Sequence, residues 1–412
     1  MNKVEELLAS FIPPPRSQRA NYDLERVTAL MNQLGNPQNS YPVIHVAGTS
    51  GKTSTCYYLS ELFRSSGYKT GLTVSPHIAS VGERLQINGV SLPDEKFLEY
   101  FAVFSEQVDL ESIKPTYFEV LVAFAYWYFA YMKVDIAVVE TGIGGLLDAT
   151  NIITNPSKTC VITDIGIDHT QVLGNSIAEI TAQKAGIIMP GSSVYMLQQN
   201  QEIEQIIETK SASVGAKLCI LDEVDQDLDL PLFQNRNFSL SVQVARDWLT
   251  SNGKVLSDEV VATSSNIQVP GRMEIFKVKG KTIVLDGAHN PQKLNQFVRS
   301  FKAKFPNQKP VLVCAMLASG EIRVRDNVEQ LLKLEPAKVF ATEFVGKQDL
   351  KKASVAARKL AEEFISAGYN PILLDSNTAL KRALQESTEV IVLTGSFYLL
   401  FDLRPDVIAL QG

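Results

Sequence analysis

The sequence predicts an α/β protein of two domains, a P-loop-containing domain followed by a smaller doubly wound α/β domain. Short, almost continuously apolar runs alternate with helical patterns along the chain, as parallel strands buried on both faces require. After residues 266–272 the pattern starts afresh with Thr282-Ile283-Val284-Leu285-Asp286. With 412 residues and 45% apolar content the chain has material for two cores. The expected limits are 1–268 for the first domain, 269–280 for a linker and 281–412 for the second domain.

In order, residues 1–40 carry an amphipathic helix (Val4, Leu7, Leu8, Phe11), the stiff run Ile12-Pro13-Pro14-Pro15 and a helix over residues 22–34. An apolar strand, Val43-Ile44-His45-Val46, then enters the glycine-rich turn Ala47-Gly48-Thr49-Ser50-Gly51 and a helix beginning near Lys52-Thr53. This is the pattern of a nucleotide triphosphate cradle. Backbone N–H groups at a helix N-terminus meet phosphate oxygens, Gly48 and Gly51 allow close approach, Lys52 offsets charge and the Thr53 hydroxyl reaches Mg²⁺. The full P-loop pattern wants a glycine where Val46 stands. A second strand, residues 70–74, ends in Ser75-Pro76-His77, where His77 reads equally as a ligand-facing or an ordinary loop histidine.

Residues 82–89 read as an alternating strand closed by Asn88-Gly89, and helices follow over residues 94–107 and 116–132. The greasy stretch 120–132 is too short to span a bilayer and reads as a buried helix. Residues 134–140 form an expected central strand ending in Glu140, followed by Thr141-Gly142-Ile143-Gly144-Gly145. Glu140 is either a metal ligand facing phosphates or a solvated strand-end carboxylate. Residues 159–164 repeat the design, ending in Asp164 and leading to Asp168-His169. Lys184 falls near the end of a helix over residues 177–187, a place where lysine usually complements the helix dipole. Strands over 194–196 and 218–221, an acidic loop over 222–232 and a helix over 234–249 with Asn237 near its start complete the first domain. In the second, buried strands are expected over 311–315, 338–341, 371–374 and 390–394, with polar turns at Asp286-Gly287-Ala288-His289-Asn290-Pro291 and Gly395-Ser396.

Charge and cysteine usage narrow the class. A net charge of −6 and a pI near 5.5, with scattered Lys and Arg, exclude a nucleic-acid footprint. Cys56, Cys160, Cys219 and Cys314 are far apart and form no C-x-x-C pair, so free buried thiols and a reducing, cytoplasmic setting are expected. The N-terminus shows no signal-peptide pattern, and no membrane segment is expected.

Taken together, the motifs resemble the Mur ligase superfamily, most closely its folylpolyglutamate synthase and dihydrofolate synthase branch. The resemblance rests on residues 45–53, Ser75-Pro76-His77, residues 83–89, Thr116-Tyr117-Phe118-Glu119, residues 140–151 with the specific Gly-Gly-x-x-Asp-Ala-Thr-Asn block, Asp168-His169-Thr170, Lys184-Ala185-Gly186, Pro270-Gly271-Arg272 and residues 286–291. These ligases carry a shortened glycine pattern, which accounts for Val46. The resemblance implies an ATP-dependent amide ligase that phosphorylates a folate-type carboxylate and lets the amine of L-glutamate displace phosphate from the acyl phosphate. It further implies that Gly48, Thr49, Ser50, Gly51, Lys52 and Thr53 hold phosphates, and that Thr53, Ser75, Glu140 and His169 supply two Mg²⁺ sites. Lys184 would be carbamylated by CO₂, catalysis would rest on Lys52, Glu140, His169 and Lys184, and Asn237, Arg272, Asp286 and His289 would hold ATP where the second domain closes on the first. A monomer is implied, with no nucleic-acid or membrane partner.

The chain departs from the pattern at Leu146, where an arginine is common, and at Asp164, where a small hydroxyl residue is usual. Residues 317–322 lack the usual Asp-Lys-Asp, and the stretch after Ala341 lacks a Pro-Arg pair. The acceptor is left open between dihydropteroate and reduced folates. The alternatives are a related Mur-type ligase with another acid substrate and a catalytically silent nucleotide-binding module.

Overall fold

The computed structural model describes residues 3–12, 23–222, 228–318, 324–345 and 353–411. The expected Pro13-Pro14-Pro15 connector, residues 223–227 of the acidic 222–232 loop and residues 319–322 lie outside them. The chain divides into two compact units, residues 1–228 with 234–267, and residues 229–233 with 268–412.

The first unit is built on an eight-stranded sheet in the order β4-β3-β2-β5-β1-β6-β7-β8. Its strands are β1 (Val43–Ala47), β2 (Thr70–Thr73), β3 (Gln86–Ile87), β4 (Val90–Ser91), β5 (Ile136–Glu140), β6 (Thr159–Ile162), β7 (Ser193–Leu197) and β8 (Lys217–Leu221). All pairings are parallel except β2–β3 and β3–β4, where the chain folds back on itself. β1 and β5 are buried at every position, which is why their sequences are apolar apart from His45 and the strand-end Glu140 rather than alternating. The register sets Val46 beside Glu140 and Ala47 beside Ile162, so the carboxyl ends of β5, β1 and β6 finish level.

The Tyr117–Tyr131 helix is sealed by a capping box between Thr116 and Glu119. Glu119 also holds Arg26 with both carboxylate oxygens at 2.9 Å. Its apolar residues are buried around Phe97, Phe101, Phe104, Phe124 and Trp127, an aromatic cluster of edge and stacked contacts. Among the described residues no helix is long and apolar enough to cross a membrane.

The second unit holds a six-stranded sheet in the order β13-β12-β11-β14-β10-β9. Its strands are β9 (Glu274–Val278), β10 (Lys281–Asp286), β11 (Val311–Cys314), β12 (Lys338–Ala341), β13 (Ile372–Leu373) and β14 (Val390–Thr394), all parallel except β9.

Three expectations are corrected. The 269–280 stretch is no linker: it contains β9, joined to β10 by the left-handed pair Lys279 (φ 49) and Gly280 (φ 78). Residues 82–89 are not one strand, because Val81–Arg84 is a 3₁₀ turn and the paired strand is confined to Gln86–Ile87. The Glu83 carboxylate accepts from Ile78 N (2.7 Å) and Ala79 N (3.1 Å), tightening that turn. β13 is a short edge strand with Leu373 exposed rather than a buried one. Lys52 and Glu140 stand where the sequence puts them, as the first residue of the Lys52–Ser65 helix and the buried last residue of β5.

Candidate active site

The cradle is assembled where β1 leaves the sheet. Gly48 passes so close to the Thr163 side chain that a Cβ would collide with it, and Gly51 (φ 93) turns the chain into the helix against Asn237. The N–H groups of Thr49 and Ser50 bond Asp164 O at 2.8 and 3.1 Å, and the Thr49 hydroxyl pairs with the backbone of Gly166 at 3.0 Å. Thr49 and Ser50 therefore brace the loop to the β6 end, and the helix start supplies the further N–H groups, since its first turn has no preceding carbonyls to bond. Asp164 in turn holds Arg236 at 3.0 Å, an anchor the sequence reading missed.

Two lysines converge on one carbonyl. Lys52 Nζ donates to Gly48 O at 3.0 Å, and Lys184 Nζ, from a position 136 residues away, donates to the same oxygen at 2.8 Å. Lys184 is 3% exposed, so it is not the surface residue that its helix-end position suggested. On the other side of the cradle, Thr53 Oγ1 donates to Glu140 Oε1 at 2.9 Å, and Ser75 N donates to Glu140 Oε2 at 3.1 Å. A small cavity lined by Thr73, Ser75, Arg84, Phe118, Glu140 and Thr150 adjoins this carboxylate.

His77 is buried and receives Arg84 Nε on Nδ1 at 2.9 Å. Burial and the Arg84 charge hold its pKa well below the ordinary histidine value, so it is a neutral support for Arg84. His169 opens the Thr170–Leu173 helix beyond β6, exposed and left-handed at φ 50. Among the described residues no group of three or more His, Cys, Asp or Glu is arranged to hold a metal. The oxygens that fit Mg²⁺ are Thr53 Oγ1 and Glu140 Oε1, hard donors beside a phosphate cradle, where magnesium keeps several waters.

Beneath the site lies a buried polar network. Asp148 accepts from Ile143 N (2.7 Å), Thr150 N (3.0 Å) and Thr150 Oγ1 (2.6 Å). Burial raises its pKa while these bonds oppose the rise. Because Thr150 gives its proton to Asp148, it accepts from His45 Nε2 at 2.8 Å, which assigns the His45 tautomer. Burial, then the Lys158 charge, hold His45 neutral. The thiols of Cys56, Cys160, Cys219 and Cys314 are free, and burial raises their pKa values.

In the second unit, Asp286 closes β10 and accepts from Met273 N and Ala288 N, both at 2.8 Å. Burial pushes its pKa up to about 6 against the Arg272 charge. The Arg272 guanidinium lies 4.3 Å from the Phe397 ring centre. Gly271 N donates to Glu274 Oε2 at 2.9 Å, and Arg404 grips both oxygens of Glu274. His289 bonds Gly287 O through Nδ1 at 2.9 Å, with Lys293 Nζ 3.4 Å from Nε2. Of the expected residues, then, Gly48–Thr53, Ser75, Glu140, Lys184 and Asn237 are brought together in the first unit, and Arg272, Asp286 and His289 in the second.

Known proteins resemble this chain along most of its length. Residues 271–397 match the family described as "Mur ligase, glutamate ligase domain". The chain is 30% identical over 413 residues to dihydrofolate synthetase of Saccharomyces cerevisiae, covering 91% of this chain and 95% of that one. It is 29% identical over 414 residues to dihydrofolate synthase/folylpolyglutamate synthase of Bacillus subtilis, covering 92% and 94%. Among solved structures, folylpolyglutamate synthase of Mycobacterium tuberculosis complexed with ADP and AMPPCP superposes with a TM-score of 0.82 at 27% identity, over 98% of this chain and 97% of that one.

Proposed function

This chain belongs to the folylpolyglutamate synthase and dihydrofolate synthase family of Mur ligases, and on that footing we propose that it joins L-glutamate to a folate-type carboxylate at the expense of ATP. The observation that carries the reading is the double lysine contact on Gly48 O opposite the Thr53–Glu140 pair. A site that brings a triphosphate to a carboxylate must offset the repulsion of several anions, and the Lys52 cation on one wall with an acidic cation anchor on the other does so.

The terminal phosphoryl group of ATP is attacked by an acceptor carboxylate oxygen, giving an acyl phosphate and ADP. The glutamate amine then adds to the acyl carbon, loses a proton and expels phosphate. Lys52 neutralises phosphate charge, and the first N–H groups of the Lys52–Ser65 helix orient the nucleotide. Thr53 and Glu140, with Ser75 and His169 as further donors, would hold Mg²⁺, which when bound screens the phosphates and aligns the in-line transfer. Arg272, Asp286 and His289 are assigned to nucleotide binding from the second unit, and Asn237 to the cradle.

Lys184 is assigned as a carbamate. Two ammonium groups on one carbonyl repel each other, and conversion of Lys184 to a carbamate makes it an anionic partner for Lys52. Activity of Lys184→Ala restored in part by a short added carboxylate supports this, and an undiminished Lys184→Ala removes it. The reading further places the protein in the cytoplasm as a monomer with small-molecule partners alone. The deciding experiment is ADP release with Mg-ATP and L-glutamate in the presence of dihydropteroate, of tetrahydrofolate, or of neither. Acceptor-dependent release establishes the ligase and identifies its acceptor, while equal release in all three overturns the folate assignment.

A further inference from the structure

Lys158 is 1% exposed and has no carboxylate beside it in any described ion pair. A buried cation with so little compensation is costly to keep. Its ammonium donates to Asn151 Oδ1 at 3.2 Å. The other end of the same amide, Asn151 Nδ2, donates to Leu146 O at 3.1 Å and to Gly186 O at 3.0 Å. Carbonyls only accept and an ammonium only donates, so the three bonds fix the amide in a single orientation.

The two carbonyls that Asn151 ties together belong to segments in backbone contact. Leu146 N donates to Gln183 O at 2.7 Å, and a Cβ on Gly145 would stand 2.8 Å from the carbonyls of Gln183 and Lys184. A Cβ on Gly186 would run into Leu146. The strap thus clamps the turn after β5 onto the helix end that carries Lys184.

We propose that Lys158 is a positioning residue for ligation: by holding the Asn151 amide in place it fixes the helix end from which Lys184 reaches Gly48 O. The inference rests on the reading of Lys184 given above. Lys158→Met removes the donor at nearly constant volume and also removes a buried charge, so the melting temperature holds or rises. In the purified enzyme kcat for ADP release falls about tenfold while KM for ATP stays within about threefold. Lys158→Gln, which keeps an N–H donor, recovers part of the loss. Lys158→Met adds nothing in an Asn151→Ala background, since both act through one strap.

Wild-type kcat in Lys158→Met overturns the proposal, as do losses that multiply in the double variant or a kcat loss matched by an equal loss of folded protein. Lys184→Ala separates the two levels. Full turnover in Lys184→Ala overturns the role of Lys184 itself, whereas an inactive Lys184→Ala beside a fully active Lys158→Met overturns only the strap.

Discussion

The two units end their parallel strands in similar polar turns and use them differently. At the carboxyl ends of β1 and β5, the Glu140 carboxylate takes the Thr53 hydroxyl on one oxygen and the Ser75 N–H on the other, and the two lysines meet at Gly48 O. At the end of β10, Asp286 spends both carboxylate oxygens on backbone N–H groups, and the neighbouring Glu274 is held by Arg404. The first arrangement keeps charge available to a ligand. The second uses charge to shape the loop that presents Arg272. A strand-end carboxylate is therefore read by what its oxygens bond, since its position in the sheet is the same in both units.

The comparison breaks or sharpens with four changes. The largest effect is expected at Lys52, because removing a cation aimed at developing phosphate charge costs about 10²- to 10³-fold in turnover. Lys52→Ala should lose ADP release by at least that factor with little change in melting temperature, and retained turnover would erase the distinction between the units. Next is Arg404→Met, which leaves the buried Glu274 without its cation and should destabilise the second unit by about 3–5 kcal/mol in denaturant unfolding. A null result there would mean that the loop is held otherwise.

Gly51→Ala follows. At φ 93, with Asn237 against the missing Cβ, the substitution strains the cradle by about 1–3 kcal/mol. The loss should appear as weaker ATP-analogue binding more than as lower stability, and the reverse would place Gly51 in the fold rather than the site. The smallest effect is the pH dependence of Asp286. Its folded pKa of about 6 lies above the ordinary 3.8, so the folded state binds the extra proton in that window. Its contribution to stability is complete below pH 3.8 and is lost as pH rises through about 6. Unfolding measurements on wild type and Asp286→Asn across that interval should differ in slope, and parallel curves would show that Asp286 is not titrating there.

Much of the fold was legible because buried parallel strands read as short apolar runs, and β1, β5, β6, β10 and β14 were found that way. The cradle was legible because glycines followed by Lys52 and Thr53 stand between a strand and a helix. β9 was missed because its five residues sit between two glycine-containing turns, although Lys279-Gly280 was a visible hairpin signal. The burial of Lys184 and His77 was not legible in the sequence, since burial of a charged or titratable side chain depends on partners far along the chain. Lys158 and Arg236 gave no local signal, because the groups they bond are set by tertiary packing.

The order of strands in the first sheet bears on how the protein is made. β1 emerges early from the ribosome, yet both its neighbours, β5 and β6, are synthesised long after it; Thr53 and Glu140 are 87 positions apart. Until β5 arrives, a largely apolar strand has both edges bare, the condition under which nascent chains pair wrongly. A chain halted before Thr159 therefore contains every residue of the cradle loop and lacks the strand that walls it, and such a fragment is expected to be held by chaperones rather than to bind nucleotide.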